Sequence, residues 1–135
     1  MLDERVFPAD NAVLHEAAAF VETALAGAGC SVKQSMQINI AVEEIFVIIA
    51  NYAYGEKKGQ MRLGIDTADG CVEIRFVDWG VPFDPTAMPE PDIMLPAEER
   101  GIGGLGIFMA KKYMDEVVYQ RLDGKNILTL KRKIG

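Results

Sequence analysis

Apolar and polar positions along the chain change period several times, and each change marks an element. Arg5-Val6-Phe7 reads as a short strand, after which Pro8-Ala9-Asp10-Asn11 supplies turn and capping chemistry ahead of an alanine-rich stretch running to Gly27. That stretch predicts a first helix, ended by Gly27-Ala28-Gly29. Ser31 can cap a second helix, and Lys33 to Tyr54 carries no glycine or proline before Gly55. Within it, Ile45 to Ala50 is apolar nearly all round and could pass for a buried strand. Its length and flanks argue instead for a long central helix.

The period then drops to two. Met61-Arg62-Leu63-Gly64-Ile65 and Val72-Glu73-Ile74-Arg75-Phe76 alternate around Ala68-Asp69-Gly70, which predicts a hairpin. Val117 to Arg121 and Ile127 to Leu130 repeat the pattern around Asp123-Gly124. Between the hairpins, residues 81–100 hold all but one of the six prolines, together with Glu90, Asp92, Glu98 and Glu99. A loop of that length in a small domain is a functional lid or a disordered segment.

Three polar features interrupt the pattern. The first is Gly101-Ile102-Gly103-Gly104-Leu105-Gly106, leading into the apolar-periodic Ile107, Phe108, Met109, Tyr113 and Met114. Glycines let successive backbone N–H groups turn toward one anion, and the positive end of a following helix favours negative charge there. The spacing satisfies G-x-G-x-x-G, but a dinucleotide fold needs a preceding strand and a later acidic residue within a βαβ unit, and here a hairpin follows. A Walker loop needs Gly-Lys-Ser/Thr, and Gly106 is followed by Ile107-Phe108. Glycines that merely allow a tight turn and close packing remain an alternative. The second feature is Asp78 at a strand end before Trp79-Gly80-Val81-Pro82, where it can accept a hydrogen bond from an exocyclic amine or simply form the turn. The third lies on the central helix, where Gln37, Ala41, Glu44, Ile48 and Asn51 share one face. Buried polar groups cost roughly 2–7 kcal/mol each unless satisfied, so the stripe marks a ligand pocket or a satisfied polar network.

Composition narrows the choices. With 135 residues, half of them apolar, the chain fits one domain, 1–135, with a real core. Fourteen basic against twenty acidic residues, net −6, leave no footprint for nucleic acid or an anionic membrane. No apolar run approaches the roughly 20 residues of a membrane span. Cys30 and Cys71 lack CxxC-type spacing, which predicts two buried free thiols and a cytoplasmic setting. His15 reads as a surface or cap residue, and Lys111 and Lys112 as a solvated helix face.

In this order the three features resemble the anti-sigma-factor serine/threonine kinases, small Bergerat-fold ATPases akin to gyrase and the sensor histidine kinases. Ala41-Val42-Glu43-Glu44 is similar to the start of the family's N box, Asp78 to Pro85 to its first glycine box, and Gly103-Gly104-Leu105-Gly106-Ile107 to its second. Met114-Asp115-Glu116-Val117 fits its helix-to-strand junction. The resemblance implies a two-layer α/β (α+β) sandwich, a mostly antiparallel mixed sheet with helices on one face, holding ATP or ADP under a lid at about residues 84–103. Asp78 would take the adenine amine and Gly80 would let the base approach. Gly103, Gly104, Leu105 and Gly106 would offer N–H groups to the phosphates, with Arg100 as a phosphate contact or a solvent-facing arginine. Glu44 would be the general base, orienting and deprotonating an acceptor hydroxyl. The implied partners are an anti-anti-sigma (STAS-type) protein and a sigma factor, with a homodimer as the family's common assembly.

The match breaks at magnesium. The family places its metal-binding asparagine four residues after the catalytic glutamate, and that position is Ile48. Isoleucine has no oxygen for a cation that demands near-octahedral oxygen ligation. Asn51 shares the face but stands about 4.5 Å further along the axis. The expectation is an ATP-binding regulator with impaired kinase activity; an active kinase despite Ile48 and a nucleotide-free protein-binding module are the rivals. A smaller departure is Asn126, near where the family's last box has threonine.

Overall fold

The computed structural model describes residues 2–55, 57–87 and 104–134. Five strands form one sheet: β1 (Leu2–Pro8), β2 (Gln60–Ala68), β3 (Cys71–Asp78), β4 (Glu116–Leu122) and β5 (Lys125–Lys133). Three helices, α1 (Leu14–Gly27), α2 (Val32–Tyr52) and α3 (Gly104–Tyr113), make the second layer. The spatial order is β1-β2-β3-β5-β4, and all four ladders are antiparallel, so among the described residues the sheet is not mixed.

Two turns fix the register. Asp69 (φ 54°) and Gly70 (φ 71°) join β2 to β3, and Asp123 (φ 52°) and Gly124 (φ 75°) join β4 to β5. Two consecutive left-handed residues build the hairpin turn whose twist matches the flanking strands. The pairs Ala68 with Cys71 and Leu122 with Lys125 close directly on these loops, and every pairing beyond them follows. A period of two then turns Met61, Leu63, Ile65, Val72, Ile74, Phe76, Leu128 and Leu130 inward, where all are buried.

The helices cover that face. Ala17, Val21 and Leu25 of α1 are buried against it, and α2 contributes Ile38, Ala41, Val42, Ile45, Phe46, Ile48 and Ile49. Ile45 to Ala50 is thus a helix segment buried nearly all round, as its length and flanks predict. Phe7 meets Phe20 and Phe46 edge-on at centroid distances of 6.0 and 6.5 Å, pinning β1 to both long helices. No helix among the described residues is long and apolar enough to cross a membrane.

Boundaries differ from the pattern in three places. The first strand is longer than Arg5-Val6-Phe7, because backbone pairing with β2 continues out to Leu2 whatever the side chains. The first helix opens with a 3₁₀ turn, Asn11–Val13, capped by Asp10, whose side chain accepts from the Ala12 N–H at 2.9 Å. The central helix stops at Tyr52 rather than Tyr54, ahead of the left-handed Gly55 (φ 60°), and the Ala53 carbonyl left free at its end accepts from the Val81 N–H at 2.8 Å.

At its other end α2 carries a capping box: the Gln34 N–H donates to Ser31 Oγ and the Ser31 N–H to Gln34 Oε1, both at 3.1 Å. Replacing Ser31→Ala is expected to destabilise the protein by about 1 kcal/mol in urea unfolding, with an unchanged m-value.

Candidate functional site

Asp78 is the last inward-facing position of β3, following Val72, Ile74 and Phe76. Register sets it opposite Asn126 on β5, which faces Arg121 on β4. One polar row therefore crosses the end of an apolar sheet face. Asp78 is 4% and Asn126 5% exposed, so both need internal partners. Asn126 Nδ2 donates to Asp78 Oδ1 at 2.9 Å and to the Val81 carbonyl at 2.8 Å. Asn126 Oδ1 accepts from the Tyr119 hydroxyl at 2.5 Å, Arg121 Nη1 at 3.1 Å and the Phe83 N–H at 3.4 Å. The Gly80 N–H donates to the same Asp78 oxygen at 3.0 Å. Burial pushes the Asp78 carboxyl above the usual carboxylate range, while Asn126, the Gly80 N–H and the Arg121 charge pull it back.

At Gly80 the structure shows a close approach of backbone to backbone. A Cβ there would stand 2.0 Å from the Ala53 carbonyl oxygen, so only glycine lets the turn after β3 close on the end of α2. Arg121 Nη1 ties down the other side, donating to the Gly80 carbonyl at 2.8 Å. Tyr54 adds a second brace: its hydroxyl donates to the Gln60 carbonyl and accepts from the Trp79 N–H at 3.0 Å.

The cavity beside Asp78 is lined by Ile48, Ile49 and Ala53 of the α2 end, by Phe83, and by Tyr119 and Asn126. Phe83 stacks on Tyr52 with centroids 5.3 Å apart and planes 16° from parallel. The enclosed free space is about 20 Å³, room for about one water. As these side chains stand, that space is too small for a purine.

The polar stripe on α2 separates into different surroundings. Gln37 Oε1 accepts from Arg132 Nη2 at 2.9 Å, and Arg132 Nη1 reaches the Tyr113 carbonyl at 2.6 Å, so this end belongs to a satisfied network. Asn51 Oδ1 accepts from Asn11 Nδ2 at 3.1 Å, on the flank of the 3₁₀ turn, and is not among the residues lining the Asp78 cavity. Ile48 is among them and is 1% exposed. Glu44 stands one turn earlier, about 6 Å along the axis. It is half-buried, and that burial, then the neighbouring Glu43 charge, push its carboxyl up.

Gly104, Leu105 and Gly106 form the first turn of α3. N–H groups of a first turn have no intrahelical acceptor, so they suit an anion. Gly103, Arg100 and residues 88–103 of the expected lid lie outside the described residues. Of the lid's start, Asp84 Oδ1 accepts from the Thr86 N–H at 2.8 Å and its hydroxyl at 2.5 Å. Lys111 Nζ donates to the Thr86 carbonyl at 2.9 Å, so this lysine is more than a solvated face. Lys112 and His15 are exposed. Cys30 and Cys71 are free thiols but only partly buried, short of the full burial their spacing suggested.

Tyr119, Arg121 and Phe83 were not singled out by the sequence. Register counted back from the Asp123-Gly124 turn sets Arg121 opposite Asn126 and could have linked those two, whereas the pairing of Asn126 with Asp78 joins two strands that no tight turn connects.

Residues 7–132 match the family described as "Histidine kinase-like ATPase domain". The serine-protein kinase RsbW of Bacillus cereus is 28% identical over 98 residues, covering 70% of this chain and 61% of the relative. The Bacillus anthracis protein of the same name matches to the same extent. The chain thus spans about three fifths of the length of these curated relatives. Among solved structures, the RsbU and RsbW domains of a Mycobacterium tuberculosis protein superpose with a TM-score of 0.70 at 17% identity, covering 99% of this chain and 32% of that one. The histidine kinase AdeS of Acinetobacter baumannii superposes with a TM-score of 0.54 at 15% identity, covering 100% of this chain and 69% of that one. Both likenesses concern the fold.

Two outcomes are expected from this geometry. Gly80→Ala should destabilise the protein by about 3 kcal/mol or more in urea unfolding, because backbone atoms rather than a mobile side chain block the new methyl. Glu44 has its carboxyl raised in the folded state, so that state binds the proton more tightly than the unfolded chain and loses stability as pH rises through the carboxylate range. Glu44→Gln should therefore raise the melting temperature at pH 8 and lose that advantage at pH 3; an equal gain at both would contradict the burial of this carboxylate.

Proposed function

The chain belongs to the histidine kinase-like ATPase domain family, and from that premise we propose that it is an ATP-binding regulator of the anti-sigma type in which magnesium-dependent phosphoryl transfer is impaired. The observation that carries the reading is the buried Asp78 carboxylate, held by Asn126 and the Gly80 N–H at the edge of a cavity whose helix wall is Ile48. A carboxylate so placed accepts from an exocyclic amine. The first turn of α3 offers N–H groups to the phosphates. Glu44, with its raised carboxyl, fits the orientation and deprotonation of a serine hydroxyl.

Magnesium does not fit this donor set. The side chain one turn beyond Glu44 is an isoleucine packed into the core, with no oxygen to offer. Asn51 accepts from Asn11 and does not line the Asp78 cavity. The reading therefore separates binding from catalysis: a nucleotide held by base and phosphate contacts, without the family's metal clamp. Such a protein acts by sequestration in a cytoplasmic partner switch, where its partners are an anti-anti-sigma protein of the STAS type and a sigma factor, and it pairs as a homodimer. The names of the Bacillus relatives support the kinase ancestry.

The filled cavity favours one other reading. With Phe83 stacked on Tyr52 and about 20 Å³ free, the chain as it stands has the base site of a module that binds protein alone. Thermal unfolding with ATP and ADP separates the two: a ligand at 100 times its dissociation constant stabilises by about 2.7 kcal/mol, and no shift with either nucleotide supports the protein-binding module.

For the leading reading, ATP is titrated calorimetrically with and without magnesium. Affinity should change little with the metal, and Ile48→Asn should create a magnesium dependence of about tenfold or more. Tight magnesium-dependent binding by the unaltered chain, with rapid phosphorylation of a partner serine, would contradict it.

A further inference from the structure

The helices cover one face of the sheet, and among the described residues the other stays open, with Leu2 58% and Val6 49% exposed on it. Register arranges the outward positions of β1, β2 and β3 as a square around Gly64. Glu4 and Arg75 flank the glycine on the neighbouring strands, and Asp66 and Arg62 stand two residues away along β2. A hollow of about 140 Å³ lies between these side chains. Nothing inside the chain asks for glycine at its floor. The Gly64 φ is not left-handed, and a Cβ there would meet Glu4 Cγ at 3.5 Å and Leu2 Cδ1 at 3.8 Å, ordinary contact distances. Glycine weakens a strand interior, and it often marks a place where another backbone comes close.

The charges around the hollow are ordered. The diagonal through Val6, Gly64 and Glu73 has both acids, Glu4 and Asp66, on one side and both bases, Arg62 and Arg75, on the other. A half-turn about that diagonal lays a second copy of the face on the first with acid over base, Glu4 on Arg62 of the second copy and Asp66 on its Arg75. The same half-turn sets Leu2 on Val77, Val6 on Val6 and Gly64 on Gly64. We propose that two copies of the chain pair through this open face, with the two-fold axis along the diagonal, ion pairs of Glu4 with Arg62 and Asp66 with Arg75 around the rim, and a glycine contact at the centre that lets the sheets close. The proposal rests on the reading that the chain forms a homodimer, and it assigns the face. An isologous contact must be self-complementary, which this face is. The strands of the two sheets cross at right angles, one of the two ways in which sheets pack. The spacing between strands, about 4.8 Å, and the rise over two residues, about 6.7 Å, differ by about 2 Å, within the reach of glutamate and arginine side chains. Within the chain Arg62 lies over the Trp79 ring at 5.5 Å and Arg75 meets Glu73 at 3.1 Å, contacts that leave guanidinium donors for a second carboxylate. That bond to Arg75 also offsets the approach of Glu73 to Glu73 on the axis. Asp78 points to the helix side, so both proposed nucleotide sites stay open in the pair.

The test reads dimer dissociation by sedimentation equilibrium on the full chain and on two variants, Glu4→Arg and Arg62→Glu. Each variant alone sets like charges against each other twice in its own pair, and should weaken dimerisation about tenfold or more. Mixed, the two become complementary: the altered position 4 of one copy faces the altered position 62 of the other with opposite charge, and the unaltered pair is kept. A heterodimer about as tight as the original pair should therefore form. Damage to the fold of a single chain cannot be cured by mixing, so recovery reports contact between copies. Variants that dimerise as tightly as the unaltered chain, or a mixture that does not recover, overturn the proposal. Gly64→Leu fills the hollow and should abolish the pair, and a dimer of unchanged tightness rejects the contact at the axis. If the unaltered chain is a monomer, the homodimer reading itself fails.

Discussion

The buried pairing of the Asp78 carboxylate with the Asn126 amide is the constraint on which the rest of the site depends. A carboxylate at the edge of an apolar core is tolerated only when donors meet it, and two of them arrive from the protein itself, Asn126 Nδ2 and the Gly80 N–H. To supply the first, β3 and β5 must be in the register that sets residue 78 against 126. To supply the second, the chain must turn sharply after β3, which it can do only because Gly80 has no side chain to strike Ala53. One polar contact thus links sheet register, the end of the central helix and the shape of the cavity.

The same contact lies between a buried wall and a less buried cover. The floor is strand and helix, with Asp78, Asn126, Ile48 and Ile49 all buried. The cover is Phe83, partly buried and stacked on Tyr52. On the proposed reading a nucleotide needs more room than the cavity now offers, which is space for about one water. Lys111 meanwhile ties Thr86 to α3, the helix whose first turn is proposed to meet the phosphates.

Much of this was legible in the sequence, for identifiable reasons. The hairpins were, because Asp-Gly pairs demand left-handed residues and period-two alternation assigns the faces. So was the central helix, despite a segment apolar enough for a strand, since its length and capping outweighed its composition. Asp78, Glu44 and Ile48 were singled out from spacing together with resemblance, and the structure sets Asp78 and Ile48 on one cavity with Glu44 a turn earlier on the helix. What the pattern could not give was the partner of each polar group. Gln37, Glu44 and Asn51 share a helical face, yet Arg132 and Asn11 claim the outer two from other elements. Resemblance gives Gly80 the task of letting a base approach, and the structure adds a packing reason that the sequence did not show, the Ala53 backbone standing where a Cβ would be. Tyr119 and Arg121 were overlooked because their function lies across strands, in register rather than in a local motif.

The central claim is that a purine nucleotide sits with its base on Asp78 and its phosphates on α3, with no metal clamp from α2. A crystal structure of the protein with ADP and magnesium tests this most directly. The account predicts the exocyclic amine on Asp78 Oδ2, the phosphates at the N–H groups of Gly104 to Gly106, Phe83 displaced from Tyr52, and no six-coordinate ion beside Ile48. A nucleotide bound away from Asp78, or an octahedral magnesium bridging Glu44 and the phosphates, would contradict it.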